Sequence, residues 1–134
     1  MDKVYICYAN NDYAKAKKIY NSLTKNNIDI CMVEHFVYES GNDYAQNMLD
    51  GIKSSNIFLL VLSRFTSNSS WVSLEINAAV KRNKKIFVIK VDNDEINQNL
   101  KFALGNSIII KEKTINDSIN KVNSLIISGG ENGK

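Results

Sequence analysis

Ser63-Arg-Phe-Thr-Ser-Asn-Ser-Ser-Trp-Val-Ser-Leu-Glu75 follows directly on an apolar run, Ile57-Phe-Leu-Leu-Val-Leu62, and the join between the two decides the fold. Six apolar residues bounded by polar ones read as a strand buried on both faces, the habit of a parallel sheet covered by helices. The serines and Asn68 then form a loop that offers a helix N-cap at Ser69 or Ser70. A helix from Ser70 to about Arg82 puts Trp71 and Glu75 four residues apart, on one face. An aromatic ring and a carboxylate therefore stand together just past the carboxyl end of a central strand. Open α/β sheets hold their ligands in that place.

The neighbouring segments alternate in the same way. Val4–Tyr8 predicts a first strand, and Asn10, Asn11 and Asp12 supply turn and cap residues. Tyr13, Ala16, Ile19, Tyr20 and Leu23 recur at helical spacing with lysines opposite, and Asn26-Asn27 ends that helix. A strand over Ile28–Val33, a loop over Glu34–Asp43 containing Gly41, and a helix over about Tyr44–Lys53 follow. After the Ile57–Leu62 strand and its helix come a strand at Ile86–Val91 and a loop over Asp92–Gly105 with a helical turn near Asn99–Leu104. A fifth strand at Ser107–Ile110 follows, then a last helix opened by a capping box, Thr114 with Asp117. Gly129–Lys134 is polar and glycine-rich and reads as a frayed tail, leaving one domain over residues 1–128. This alternation predicts a flavodoxin-like three-layer α/β sandwich, a five-stranded parallel sheet of order 2-1-3-4-5 with helices on both faces. The switch point of that order lies between strands one and three. The site should be built after Tyr8 and after Leu62.

Composition narrows the function. The chain has 134 residues, 44% hydrophobic and 23% charged, which suits one globular domain with a single core. A net charge of +3 with scattered basic residues predicts no nucleic-acid partner. No apolar run could span a bilayer and no signal peptide opens the chain, which predicts a cytoplasmic protein without a membrane partner. Cys7 and Cys31 fall in predicted strands, and with the lone His35 they make no metal set. Both are expected to be reduced, buried thiols. Neither common glycine-rich phosphate loop is present. A receiver domain would need an aspartate at the end of strand three, where Leu62-Ser63 stands.

Glu75 is the leading candidate. It lies beyond the N3 position of its helix, so it is not the capping-box acid, and it shares a face with Trp71, Ala78 and Ala79. Trp71 alone would read as a packing residue. Phe36 and Tyr38 in the polar loop could contact a partner or fold onto the sheet. Lys81-Arg-Asn-Lys-Lys85 complements a helix C-terminus and needs no bound anion to explain it.

Together these residues resemble a bacterial Toll/interleukin-1 receptor (TIR) domain. The pieces are Val4-Tyr-Ile-Cys-Tyr8 with Asp12, Asn27-Ile-Asp-Ile-Cys31, Gly41-Asn-Asp-Tyr-Ala45, Gly51-Ile-Lys-Ser-Ser55, Ile57–Ser63 and Ser70-Trp-Val-Ser-Leu-Glu75. Phe36 and Val37 stand where bacterial relatives often carry an Arg-Asp pair, and a common Trp-containing motif is replaced by Ser107–Ile110. Many prokaryotic members cleave NAD+ to nicotinamide and ADP-ribose or a cyclic isomer of it, some in antiphage defence. The resemblance implies Glu75 as the catalytic acid, with Tyr8, Ala9, Asn10, Phe36, Ser63 and Trp71 lining the substrate pocket. It implies self-association through a loop holding Glu34, His35, Phe36, Val37, Tyr38 and Gly41. NAD+ enters as substrate, with no separate cofactor or metal, and a sensor or effector protein is a possible further partner. Two other readings stay open: a non-enzymatic homotypic docking module, and an enzyme similar to nucleoside deoxyribosyltransferases, which also pair such a sheet with a glutamate.

Overall fold

The computed structural model describes residues 2–33 and 43–132. Five strands form one parallel sheet in the order β2-β1-β3-β4-β5. They are β1 (Lys3–Cys7), β2 (Asp29–Met32), β3 (Ile57–Leu62), β4 (Lys85–Lys90) and β5 (Ile108–Ile110). The helices are α1 (Tyr13–Lys25), α2 (Asp43–Ser54), α3 (Ser70–Lys81), α4 (Gln98–Ala103) and α5 (Ile115–Asn132). The expected architecture and strand order are what is found.

Strand alternation divides the core in two. Val4, Ile6 and Tyr8 point to one side of the sheet, where Ile19 and Leu23 of α1 and Val122 of α5 meet them. Tyr5, Cys7 and Ala9 point to the other, against Met48 and Ile52 of α2 and Val72 and Ile76 of α3. All six residues of β3 are buried, because both of its faces are covered. On α3 the core contacts come from Val72, Ile76 and Ala79, while Leu74 turns outward at 53% exposure. Edge strand β5 leaves Ile108 and Ile109 partly open and buries Ile110.

Local chemistry sets the element ends. The Ser69 hydroxyl accepts from the Val72 amide at 3.3 Å and caps α3, one of the two positions expected. Asn97 caps α4 through the amides of Asn99 and Leu100. The Asp117 amide donates to the Thr114 hydroxyl at 3.1 Å, one half of the expected capping box. Helix α5 runs through Gly129 and Gly130 to Asn132, into the stretch read from sequence as a polar tail. Glycine costs a helix roughly 1 kcal/mol relative to alanine and does not stop one already nucleated.

Gly51 is required by close approach. A Cβ there would lie 2.7 Å from Cys31 Sγ and 2.9 Å from the Tyr5 ring. Its absence lets α2 settle on Tyr5, which also stacks on Phe58 with ring centroids 5.8 Å apart.

Candidate functional site

Glu75 is 1% exposed. Its helix starts just past the end of β3, and its charge reaches the buried thiol of Cys7, the last residue of β1. The two strands adjoin at the point where the strand order reverses. From α2, the Tyr44 hydroxyl donates to Glu75 Oε2 at 2.5 Å. The Tyr44 ring meets Trp71 edge-on, with centroids 4.1 Å apart. Carboxylate, phenol and indole thus form one unit tying α2 to α3.

The groups around the carboxylate are held neutral. Burial, and then the Glu75 charge, raise the ionisation of the Tyr44 phenol far above the usual tyrosine range. The Cys7 thiol is raised well above its ordinary value by burial, then by the Glu75 charge and the hydrogen bond to it. Tyr5 is raised likewise, by burial first and Glu75 second, and its buried hydroxyl has no hydrogen-bond partner among the described residues.

The other expected site residues fall in several places. Trp71 is half-buried beside Tyr44, and Ala9 is buried on the Glu75 side of the sheet. Asn10 is exposed and opens a 3-10 turn, Asn10–Asp12. Tyr8 packs on the opposite side, its ring 6.0 Å from that of Tyr13 and its hydroxyl donated to the Val33 carbonyl at 2.8 Å. Strand alternation sends it there, although it remains near enough to act electrostatically on Tyr44. Phe36 and the proposed association loop, Glu34, His35, Phe36, Val37, Tyr38 and Gly41, lie outside the described residues.

Ser63 belongs to a separate knot. Its hydroxyl donates to Asp12 Oδ2 and accepts from the Phe65 amide, and its own amide donates to the Thr66 hydroxyl at 2.8 Å. Asp12 is 1% exposed, and its Oδ1 has no hydrogen-bond partner among the described residues. Burial raises its carboxyl above the usual range, against the pull of the Ser63 hydrogen bond and of Lys15. Sequence spacing marked Asp12 only as a turn residue. Its link to Ser63 spans 51 positions, so no local signal could have shown it.

Glu75 and Tyr44 are separated by 31 positions, so no local spacing links them. Volume is not the guide to this site. A cavity of about 470 Å³ lies at the amino ends of β4 and β5, lined by Val80, Lys84, Phe102 and Ile108 among others, and no carboxylate faces it. No group of metal-ligating side chains occurs among the described residues. Nor is any helix among them long and apolar enough to cross a membrane.

No curated protein matches the sequence. Among solved structures, a CMP N-glycosidase from Clostridium botulinum, BcmB, superposes with a TM-score of 0.68 at 14% identity, covering 90% of this chain and 98% of that one. The TIR domain of the Toll-related receptor TRR-2 from Hydra magnipapillata gives 0.62 at 20% identity, over 79% of this chain and 82% of that one. TIR domains of the activated Roq1 resistosome give 0.56 at 17% identity, over 69% and 60%. These likenesses bear on the fold. The TIR domain family model matches residues 4–121, nearly the whole sheet and its helices, and the chain belongs to the TIR domain family.

Proposed function

We propose that this TIR domain cleaves the nicotinamide–ribose bond of NAD+, with Glu75 as the catalytic carboxylate. The observation that carries the reading is the burial of that carboxylate at the switch point, held by the Tyr44 hydroxyl. The C1′–N bond breaks with its electron pair going to the pyridinium nitrogen, so nicotinamide leaves neutral and needs no proton. Positive charge builds on the ribose. A fixed anion in a water-poor setting stabilises that charge more in the transition state than in the ground state. Water then bonds to C1′ and loses its proton to solvent, giving ADP-ribose. Attack by an adenine nitrogen of the same molecule would give a cyclic isomer instead. One carboxylate suffices, whereas an ordinary glycosidase needs a second to protonate an alkoxide.

The C. botulinum enzyme named above supports a second reading, a pyrimidine nucleotide as substrate. Cytosine leaves as an anion unless protonated, so that reaction calls for a proton donor. The Tyr44 phenol that donates to Glu75 has its ionisation pushed upward by burial and by the Glu75 charge, which makes it a poor acid. That asymmetry favours the pyridinium substrate. Self-association of the domain, bacterial origin, a cytoplasmic setting and a place in antiphage signalling belong to the same proposal.

The test is direct. The purified domain, concentrated and crowded, is incubated with NAD+, and nicotinamide and the ADP-ribose product are resolved by chromatography. CMP and a deoxynucleoside are run in parallel and as competitors. Nicotinamide release that disappears in Glu75→Ala supports the reading. Release of cytosine alone would transfer the site to the second reading, and a folded, assembled sample inert to all three would point to a docking module.

A further inference from the structure

The cavity at the amino ends of β4 and β5 lies at the end of the sheet opposite Glu75, with Lys85 opening β4 and Ile108 opening β5 on its wall. Val80, Phe102 and Ile108 line it and are 39%, 91% and 42% exposed. A single exposed apolar residue needs no explanation. Three around one hollow, one of them a phenylalanine almost wholly in water, form a patch of the kind that marks a contact surface.

The surroundings carry one sign of charge. Residues 76–91 and 96–111 supply every lining residue and contain no Asp or Glu. Lys84 and Lys85 stand on the wall, and Lys81 and Lys101 lie on the helices that bring Val80 and Phe102. Helix ends account for part of this. The Arg82 guanidinium donates to the Ala78 carbonyl and the Lys84 ammonium to the Lys53 carbonyl, each at 3.1 Å. The Lys85 ammonium lies 5.5 Å from the centre of the Phe87 ring. An ammonium has three donors, so these contacts position both lysines without exhausting them. Capping explains neither the hollow nor the exposure of Phe102.

We propose that this cavity is the docking site for an acidic segment of another protein, which inserts a bulky apolar side chain between Val80, Phe102 and Ile108 and sets its carboxylates against Lys84 and Lys85. The occupant's chemistry follows from complementarity: an apolar anchor for the hollow, negative charge for the rim. A second copy does not offer it from its described surface. Among the described residues, no exposed large apolar residue has an exposed Asp or Glu beside it in sequence. A concave wall also suits an inserted side chain better than a lipid surface, which receives apolar groups that project. The site is remote from the carboxyl ends of β1 and β3, so the inference stands whatever bond the domain cleaves.

Phe102→Glu makes the wall acidic at a position so exposed that the fold should tolerate it. A phage-displayed library of random peptides is panned on the wild-type domain and depleted on this variant. The recovered peptides should combine acidic residues with a phenylalanine, tryptophan or leucine. Synthesised with a fluorophore, they should bind Phe102→Glu at least about tenfold more weakly than wild type by fluorescence polarisation. They should also weaken in Lys85→Glu and as salt is raised. Recovery of neutral or basic peptides, or of none that depends on Phe102, overturns the inference. Two further measurements test the rival occupants. Sedimentation velocity without peptide would assign the face to a second copy if self-association is lost in Phe102→Glu. Flotation with phosphatidylglycerol–phosphatidylcholine vesicles would assign it to a membrane if binding depends on Phe102. Either result overturns the inference. Should circular dichroism show Phe102→Glu unfolded, Lys85→Glu takes its place in the depletion step and in all three measurements.

Discussion

Glu75 and Asp12 are each 1% exposed and each lies beyond the end of a central strand, yet they are built into the molecule in different ways. Asp12 closes a 3-10 turn after β1, its amide donated to the Ala9 carbonyl at 2.8 Å and its carboxylate bound by Ser63 at the end of β3. That arrangement stitches two strand ends together within the backbone of two tight turns. Glu75 joins two helices, and its partner Tyr44 comes from the terminal turn of one of them. The first acid is fixed by turn geometry within the backbone. The second depends on how two helices pack, because its partner Tyr44 is a buried residue of the neighbouring helix.

The sharpest way to break this contrast is to neutralise both acids. Glu75→Gln should lower NAD+ cleavage at least about 100-fold, a loss of roughly 3 kcal/mol of transition-state stabilisation, with the far-ultraviolet circular dichroism unchanged. Activity within a few-fold of wild type would remove Glu75 from the reaction and leave it a structural acid like Asp12. Gly51→Ala probes the support beneath the site. The added methyl runs into Cys31 Sγ and the Tyr5 ring, and overpacking of that kind costs roughly 1–3 kcal/mol, reduced by up to about 1 kcal/mol of better helix propensity. A urea midpoint that does not fall would show that α2 slides freely over Tyr5.

Ser69→Ala removes the cap of the helix that carries Glu75 and should destabilise by about 1 kcal/mol, seen as a shift in urea midpoint without a change in slope. The smallest effect is expected at Asp12. Burial raises its carboxyl in the folded state, so the folded chain holds that proton more firmly than the unfolded one. The contribution to stability is fully present below the ordinary value of 3.8 and is lost as pH rises through the raised value. Asp12→Asn should therefore gain in Tm relative to wild type as pH climbs from below 3.8, and a constant difference across that range would contradict the assignment.

Element types and their order were legible because each apolar run is short and each amphipathic stretch keeps one period. Ile57–Leu62 could hardly be anything but a doubly covered strand. The Ile119, Val122, Ile126 stripe fixed the inner face of α5, and all three are buried. Leu74 is apolar and helical but turned to solvent, because Val72 and Ile76 already fill the face toward the sheet. Helix α5 runs on to Asn132, because glycine weakens a helix without forbidding it. Tyr8 was placed in the pocket by its position after β1, and the two-residue alternation of the strand turned it to the other side.

The sequence by itself determined a parallel α/β sheet, the strand order, and a glutamate four residues past a tryptophan beyond the third strand. Those are properties of local periodicity and short spacing, which a chain carries in its own pattern. Only the tertiary structure decided that Tyr44 closes on Glu75, that Cys7 lies beneath it, and that Asp12 is bound by Ser63. Each of these pairs joins segments 31 to 68 residues apart, or 51 for Asp12 and Ser63, and the contacts exist only because the sheet brings the ends of β1 and β3 side by side and lays α2 and α3 across them.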